Sequence, residues 1–261
     1  MIDYAGKAVL VTGGASGIGL AMARAFRARG AKLVLADISA EGLKEVATEF
    51  GSDAVTKHCD LADANAPQDL IAEAFRAFGR LDVVCSNAGI GHNKKILKEP
   101  IGDAVNRLFN INLFAGLRIA QAFHALLVSE GRQGHLLLTG SENSLSVPSA
   151  VRGSGLGMYA ATKHGLLIAA EWLRDEIAGG PLSVHVLMPG AVYTPLIARV
   201  LPDPSKAPPS LDLIMPERCA EIALRGLDLG LFYIPTQKHL AQDMAARTKG
   251  VTDALKALGV T

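Results

Sequence analysis

The segment "KAVLVTGGASGIGLAMARAF" (residues 7–26) changes its hydrophobic period partway along. Its opening residues, Lys7 to Thr12, hold the continuous apolar run of a strand covered on both faces. From Ile18 onward the apolar residues Ile18, Leu20, Met22 and Phe26 belong to a helix. Between them lie Gly13, Gly14, Ser16, Gly17 and Gly19. A strand that turns through glycines into a helix presents backbone N–H groups to a phosphate. Gly13 permits the tight turn, Gly17 lets backbone approach a pyrophosphate, and Gly19 lets the helix pack close to the sheet. Ser16 and Ile18 complete the expected nucleotide-binding loop.

The same alternation continues along the chain. Further apolar runs lie at 32–37, 54–59, 81–87, 135–140, 183–189 and 231–235, separated by longer stretches with helical spacing such as Leu70, Ile71, Ala74, Phe75 and Phe78. Sustained strand–helix alternation implies right-handed crossovers and an α/β fold. The expected architecture is a Rossmann-type, doubly wound, mostly parallel seven-stranded sheet with helices on both faces. No repeat or composition break divides residues 1–261, which are read as a single dinucleotide-binding domain. The Pro-rich stretch 194–216 is too long for a tight turn, and 194–215 is read as a substrate lid with a short helix near 195–201.

Composition excludes several classes. A net charge of +1 without basic runs gives no reason to expect nucleic acid or anionic lipid. No run of 18 apolar residues is present, so no membrane span is expected. Cys59, Cys85 and Cys219 are odd in number and scattered, which suits a reducing, cytoplasmic setting. The seven histidines show no ligand spacing, and no metal site is expected.

In an open parallel sheet, ligands lie over the carboxyl ends of the strands. Asp37 ends the second run, 18 positions after Gly19, where a carboxylate accepts hydrogen bonds from ribose hydroxyls and repels a 2′-phosphate. Neither Ile38 nor Ser16 supplies a cation for such a phosphate, so NAD is expected over NADP. Asp60 and Leu61 end the third run, and Asn87, Ala88 and Gly89 the fourth, placing them toward adenine and ribose.

With these motifs the chain resembles the compact, single-domain form of the short-chain dehydrogenase/reductase family. The resemblance covers essentially the whole chain and rests on TGGASGIG (12–19), DL (60–61), SNAG (86–89), Asn112, YAATK (159–163) and PGAVYTP (189–195). Ser86 departs from the family, which more often has Asn there. The resemblance implies catalytic roles for Asn112, a serine, Tyr159 and Lys163, and cofactor contacts from Pro189, Gly190, Val192 and Thr194 as well as from Tyr159 and Lys163. It implies transfer of a hydride between NAD(H) and a secondary alcohol or ketone, with Tyr159 as general acid/base. The hydride expected to move is the pro-S one of NADH. It also implies a homo-oligomer, tetramer or dimer, formed in part by apolar faces near 113–130 and 158–178.

Tyr159 and Lys163 share a helix face. A cation about 5 Å away at an effective dielectric near 20 favours the phenolate by about 3 kcal/mol, roughly two pKa units. Asn112 interrupts an apolar helical pattern, which predicts a local break. The serine is open to two choices. Ser146 lies 13 positions before Tyr159, about the family's usual separation, whereas Ser141 immediately follows the fifth strand. Strand geometry selects Ser141 and makes 145–157 an insertion, with Ser146 as the alternative. Glu142, Asn143, Met158, Tyr193 and Leu196 are expected to face the substrate, in a pocket read as apolar from Leu145, Val147, Leu156 and their neighbours. The competing readings are a non-catalytic dinucleotide sensor or scaffold and a methyltransferase, neither of which needs the Tyr–Lys pair.

Overall fold

A computed structural model describes residues 1–260; Thr261, the last residue of the expected 1–261 domain, lies outside the described residues. The seven apolar runs form strands β1 (Ala8–Thr12), β2 (Lys32–Asp37), β3 (Ala54–His58), β4 (Val83–Ser86), β5 (Gly134–Thr139), β6 (Leu182–Met188) and β7 (Tyr233–Pro235). They make one sheet in the order β3-β2-β1-β4-β5-β6-β7, with every neighbouring pair parallel. The order reverses between β1 and β4, which opens a crevice over their carboxyl ends. This is the expected doubly wound sheet, parallel throughout.

The α-helices are α1 (Gly17–Arg27), α2 (Ala40–Phe50), α3 (Ala66–Phe78), α4 (Asp103–Phe109), α5 (Ala115–Glu130), α6 (Gly157–Glu176), α7 (Pro195–Ala198), α8 (Pro216–Asp228) and α9 (Leu240–Ala257). Helices α1, α2 and α8 bury Met22, Phe26, Phe50 and Leu227 against Val9, Val11 and Leu35. On the other face, α3, α5 and α6 bury Ile71, Phe123 and Leu166 against Leu10, Val34 and Leu138. Successive strand residues point to opposite faces. Because both faces are covered, most of the strands read as unbroken apolar runs, edge strand β3 (AVTKH) excepted.

The helical stretch Asp103–Glu130 is long and apolar enough to cross a membrane by length and composition. Here Leu108, Ile119, Phe123 and Leu127 are buried, and the last three belong to the core under the sheet. The short helix expected near 195–201 is shorter still. It spans Pro195–Ala198 and is followed by a turn in which the Val200 and Leu201 N–H groups donate to the Ile197 carbonyl before Pro202 ends the helical path. The segment then returns through turns at Pro204–Lys206 and Pro209–Leu211, and Ile214 forms a parallel bridge with Val192.

Inside the sheet, His135 Nδ1 lies 3.1 Å from His185 Nε2, and His185 Nδ1 lies 2.7 Å from the Leu231 carbonyl. The chain is satisfied when His185 donates to Leu231 and His135 donates to His185. Burial pushes His135 down to about 4 and lowers His185 as well. A folded His with a depressed pKa binds fewer protons than the unfolded chain. Its stability contribution is therefore complete above about pH 6.5 and is lost as pH falls toward about 4. His135→Leu is expected to flatten this part of the profile by about 1–2 kcal/mol, read from urea midpoints between pH 7 and 4. Parallel profiles for the two proteins would contradict it.

Candidate active site

The β1–α1 loop is a backbone cradle. Gly13 and Gly17 have φ of +65° and +52°, in the left-handed region that favours glycine. A Cβ on Gly19 would lie 2.1 Å from the Gly13 carbonyl oxygen, so only glycine fits. No side chain caps the start of α1, although Ser16 stands at the N-cap position. The first N–H groups of the helix and the positive end of its dipole are left for an anion. Ile18 packs partly buried against the core from the first turn. These features fit the pyrophosphate of a dinucleotide.

The ends of β1, β4 and β5 are tied together around Asn87. Asn87 Nδ2 donates to the Thr12 carbonyl (3.1 Å), and the Asn87 and Ala88 N–H groups donate to Thr12 Oγ1. Thr139 Oγ1 donates to Asn87 Oδ1 (3.3 Å). At the end of β2, Asp37 accepts from the Ala15 N–H (3.1 Å) and the Ser39 N–H (2.9 Å), which fixes its carboxylate beside the glycine loop. Asp60 is engaged differently. It accepts from the Ala62 N–H and pairs with Arg107 at 3.0 Å, which together hold its carboxyl below the usual range. Leu61 is buried beneath it.

At the crevice, Ser141 and Tyr159 converge. Ser141 follows β5 and is buried. Its Oγ accepts from the Asn143 N–H (3.2 Å) and Asn143 Nδ2 (3.3 Å). With two donors already on its oxygen, Ser141 has its hydroxyl proton free to donate, and the hydroxyl lies near enough to the Tyr159 phenol to lower its proton affinity. Ser146 is buried in the following loop, and no such contact links it to Tyr159.

Lys163 lies one turn beyond Tyr159, its Nζ 5.9 Å from the phenol ring centre. Its ammonium donates to the Thr139 carbonyl at 2.7 Å. The expected lowering of Tyr159 by Lys163 is absent. Burial raises the phenol above its ordinary value, the Ser141 hydrogen bond pulls it back, and the Glu142 carboxylate pushes it up again. Burial likewise brings Lys163 down to about 8. Lys163 is buried and the Tyr159 ring half-buried, and desolvation is the largest influence on each.

The break at Asn112 is a π turn, Asn110–Phe114, between α4 and α5. Asn112 exchanges two hydrogen bonds with Ile90, accepting from its N–H and donating to its carbonyl, each at 2.9 Å. The loop after β4 is thereby fixed, and a Cβ on Gly89 would approach Asn112 Oδ1 to 3.3 Å and Lys163 Nζ to 3.7 Å.

The loop after β6 closes over the glycine cradle. A Cβ on Gly17 would meet Thr194 at 3.1 Å. The Pro189 carbonyl accepts from the Glu142 N–H, and the Gly190 N–H donates to Gln237 Oε1. Tyr193, expected to face substrate, instead donates its hydroxyl to the Pro202 carbonyl (2.8 Å) beyond the short helix. Leu196 reaches back to Gly91, where a Cβ would come within 2.7 Å of it. Met158 is partly buried at the start of α6. The expected apolar lining is interrupted: Glu142, Asn143, Ser144 and Ser146 are all buried, while Val147 is exposed.

Residues 7–205 match the family model of the short chain dehydrogenases. The chain belongs to the short-chain dehydrogenase/reductase family. It is 36% identical over 232 residues to the 1-deoxy-11-beta-hydroxypentalenate dehydrogenase of Streptomyces avermitilis, covering 87% of this chain and 83% of that one. It is 30% identical over 217 residues to a 2,5-dichloro-2,5-cyclohexadiene-1,4-diol dehydrogenase of Sphingobium indicum, covering 83% and 84%. Its fold matches a short chain dehydrogenase/reductase from Burkholderia phymatum solved in complex with NAD. That match has a TM-score of 0.83 and 22% identity and covers 97% of this chain and 96% of that one. This short-chain dehydrogenase is an oxidoreductase of the alcohol dehydrogenase type.

Sequence reasoning placed Thr12 in the TGGASGIG motif without a role and missed Thr139, whose strand-end position offered a signal. It also missed Gln237 and His239, which offered none. Both come from the distant C-terminal segment and reach the site only through the fold. Gln237 is buried and donates to the Ala191 and Asp212 carbonyls. His239 Nε2 lies 2.8 Å from Glu142 Oε2.

Proposed function

We propose that this short-chain dehydrogenase interconverts a secondary alcohol and its ketone with NAD, using Tyr159 as general acid/base. The observation that carries the reading is the buried Ser141 hydroxyl beside the Tyr159 phenol, its oxygen already accepting twice from Asn143 so that its proton is free to donate. A sensor or scaffold has no need of that arrangement, nor of a buried ammonium one turn away.

Bound NAD supplies the hydride acceptor and a positively charged ring. In alcohol oxidation Tyr159 takes the hydroxyl proton at its phenol oxygen; in ketone reduction it returns one. Ser141 donates to the substrate oxygen and stabilises charge developing there. Lys163 holds a positive charge in the same buried mouth, oriented by the Thr139 carbonyl. Asn112 fixes the Ile90 backbone and with it the wall beside Gly89. Gly13, Ser16, Gly17, Ile18 and Gly19 are assigned to the pyrophosphate, and Asp37 to the adenosine ribose. Asp60, Leu61, Asn87, Ala88 and Gly89 are assigned to the adenosine side, and Pro189, Gly190, Val192 and Thr194 to the nicotinamide side.

The substrate proposed is an alcohol on a ring or hydrophobic scaffold, bound between 142–158 and a lid over 194–215 of one domain. Support comes from a relative named for a cyclohexadiene diol and from Met158 and Leu196 at the crevice. Exposed Phe114, Val128, Ile168 and Trp172 on the α5 and α6 side support a homo-oligomer, a tetramer or dimer. Free thiols at all three cysteines support a cytoplasmic location.

The choice of NAD over NADP rests on Asp37. With a panel of secondary alcohols, kcat/KM for NAD⁺ is expected to exceed that for NADP⁺ by at least about tenfold, and Asp37→Ala to erase most of that preference. Equal use of both cofactors by the unaltered protein would refute the assignment.

A further inference from the structure

His164 follows Lys163 on α6 and takes no part in the steps above. Its ring lies between two segments far apart in the chain. Its Nδ1 is 2.7 Å from the Asn143 carbonyl, in the turn that carries Ser141. Its Nε2 is 2.7 Å from Arg247 Nη1, on α9. That helix lies beyond residues 7–205, the part of the chain that matches the family model. A guanidinium carries only donors, so Arg247 donates and His164 Nε2 accepts. The ring is therefore neutral with its proton on Nδ1, and that proton goes to the Asn143 carbonyl.

The serine turn leans on that bond. The Asn143 carbonyl shares a peptide group with the Ser144 N–H, which donates to the Ser141 carbonyl at 2.9 Å. Ser144 Oγ in return accepts from the Ser141 N–H at 3.0 Å. Asn143 gives both its N–H and its Nδ2 to Ser141 Oγ. Fixing the Asn143 peptide thus fixes the donors that orient the serine hydroxyl. Asn143 is buried, so taking a donor away from its carbonyl is costly. The same helix α6 bears Tyr159. His164 therefore pins the serine turn to the helix that carries the phenol.

We propose that His164, neutral and with its proton on Nδ1, is a positioning residue that holds Ser141 in register with Tyr159, and that Arg247 selects this tautomer. The proposal rests on the reading of Ser141 as the donor to the substrate oxygen. His164 acts through Asn143. Its loss slows the chemical step by freeing the serine turn, while the glycine cradle keeps its hold on the cofactor. A helix from the C-terminal end of the chain is in this way built into the geometry of the serine.

The test is a double-mutant cycle on the full-length protein, with NAD⁺ and a secondary alcohol that it turns over. His164→Leu should lower kcat about tenfold and leave KM for NAD⁺ within about twofold. His164→Asn puts an amide donor where Nδ1 stood and should recover most of that loss. In a Ser141→Ala background, His164→Leu should cost less than about twofold, because the serine it serves is gone. An unchanged kcat in His164→Leu overturns the proposal, and so does the full loss repeated on top of Ser141→Ala. Should His164→Leu fail to fold, Arg247→Met carries the test, read from ¹⁵N-histidine spectra and rates. The unaltered protein should show His164 as the Nδ1-protonated ring alone. Arg247→Met should show a mixture of tautomers, with kcat lowered about threefold. An Nε2-protonated ring in the unaltered protein overturns the proposal, as does an Arg247→Met variant with unchanged spectrum and rate. Failure of the underlying reading is distinct: Ser141→Ala would then keep the normal rate, whatever the changes at His164 do.

Discussion

Tyr159→Phe is expected to lower alcohol oxidation about 10²–10⁴-fold while NADH affinity changes by no more than about twofold. The substitution removes one oxygen from a half-buried ring at the mouth of the crevice and leaves the glycine cradle untouched. What would be lost is the proposed site of proton uptake beside Ser141. Because the missing interaction belongs to the transition state, kcat and kcat/KM should fall together. Stopped-flow NADH formation with fluorescence titration of NADH separates the two quantities. Unchanged turnover would remove Tyr159 from the chemistry.

Ser141→Ala is expected to cost about 10²–10³ in kcat, with Ser146→Ala within about threefold of the unaltered protein. The asymmetry follows from direction. Ser141 Oγ is held by both nitrogens of Asn143, and this leaves its proton to donate toward the reacting oxygen. Asn143 is itself steadied, its carbonyl accepting from His164 Nδ1 at 2.7 Å. Alanine at 141 removes the donor and leaves two buried Asn143 donors without an acceptor. A melting curve is therefore needed beside the rates to separate lost chemistry from lost order. A larger effect at Ser146 would reverse the choice of serine.

The sheet was legible because its inner strands are covered on both faces, so most announced themselves as unbroken apolar runs such as Leu136–Leu138, edge strand β3 (AVTKH) being the exception. The glycine loop was legible because φ near +60° at Gly13 and Gly17 and the contact at Gly19 demand a residue without Cβ. Asn112 signalled its break through poor helix propensity, and the chain answered with a π turn. Charge balance was another matter. Counting four residues from Tyr159 to Lys163 places two side chains on one face. It carries no information on burial, which here raises the phenol and lowers the ammonium. Nor does local sequence show that Glu142 meets His239, 97 positions away, or that Tyr193 spends its hydroxyl on Pro202. Local pattern reports backbone demands and burial of whole faces. Contacts between distant segments need the fold first.

One substrate oxygen is expected to meet both Tyr159 and Ser141. A crystal structure with NADH and a bound secondary alcohol tests it most directly. The account predicts the alcohol oxygen within about 2.6–3.2 Å of both Tyr159 Oη and Ser141 Oγ. An alcohol oxygen seated on Ser146, or out of reach of Tyr159, would contradict it.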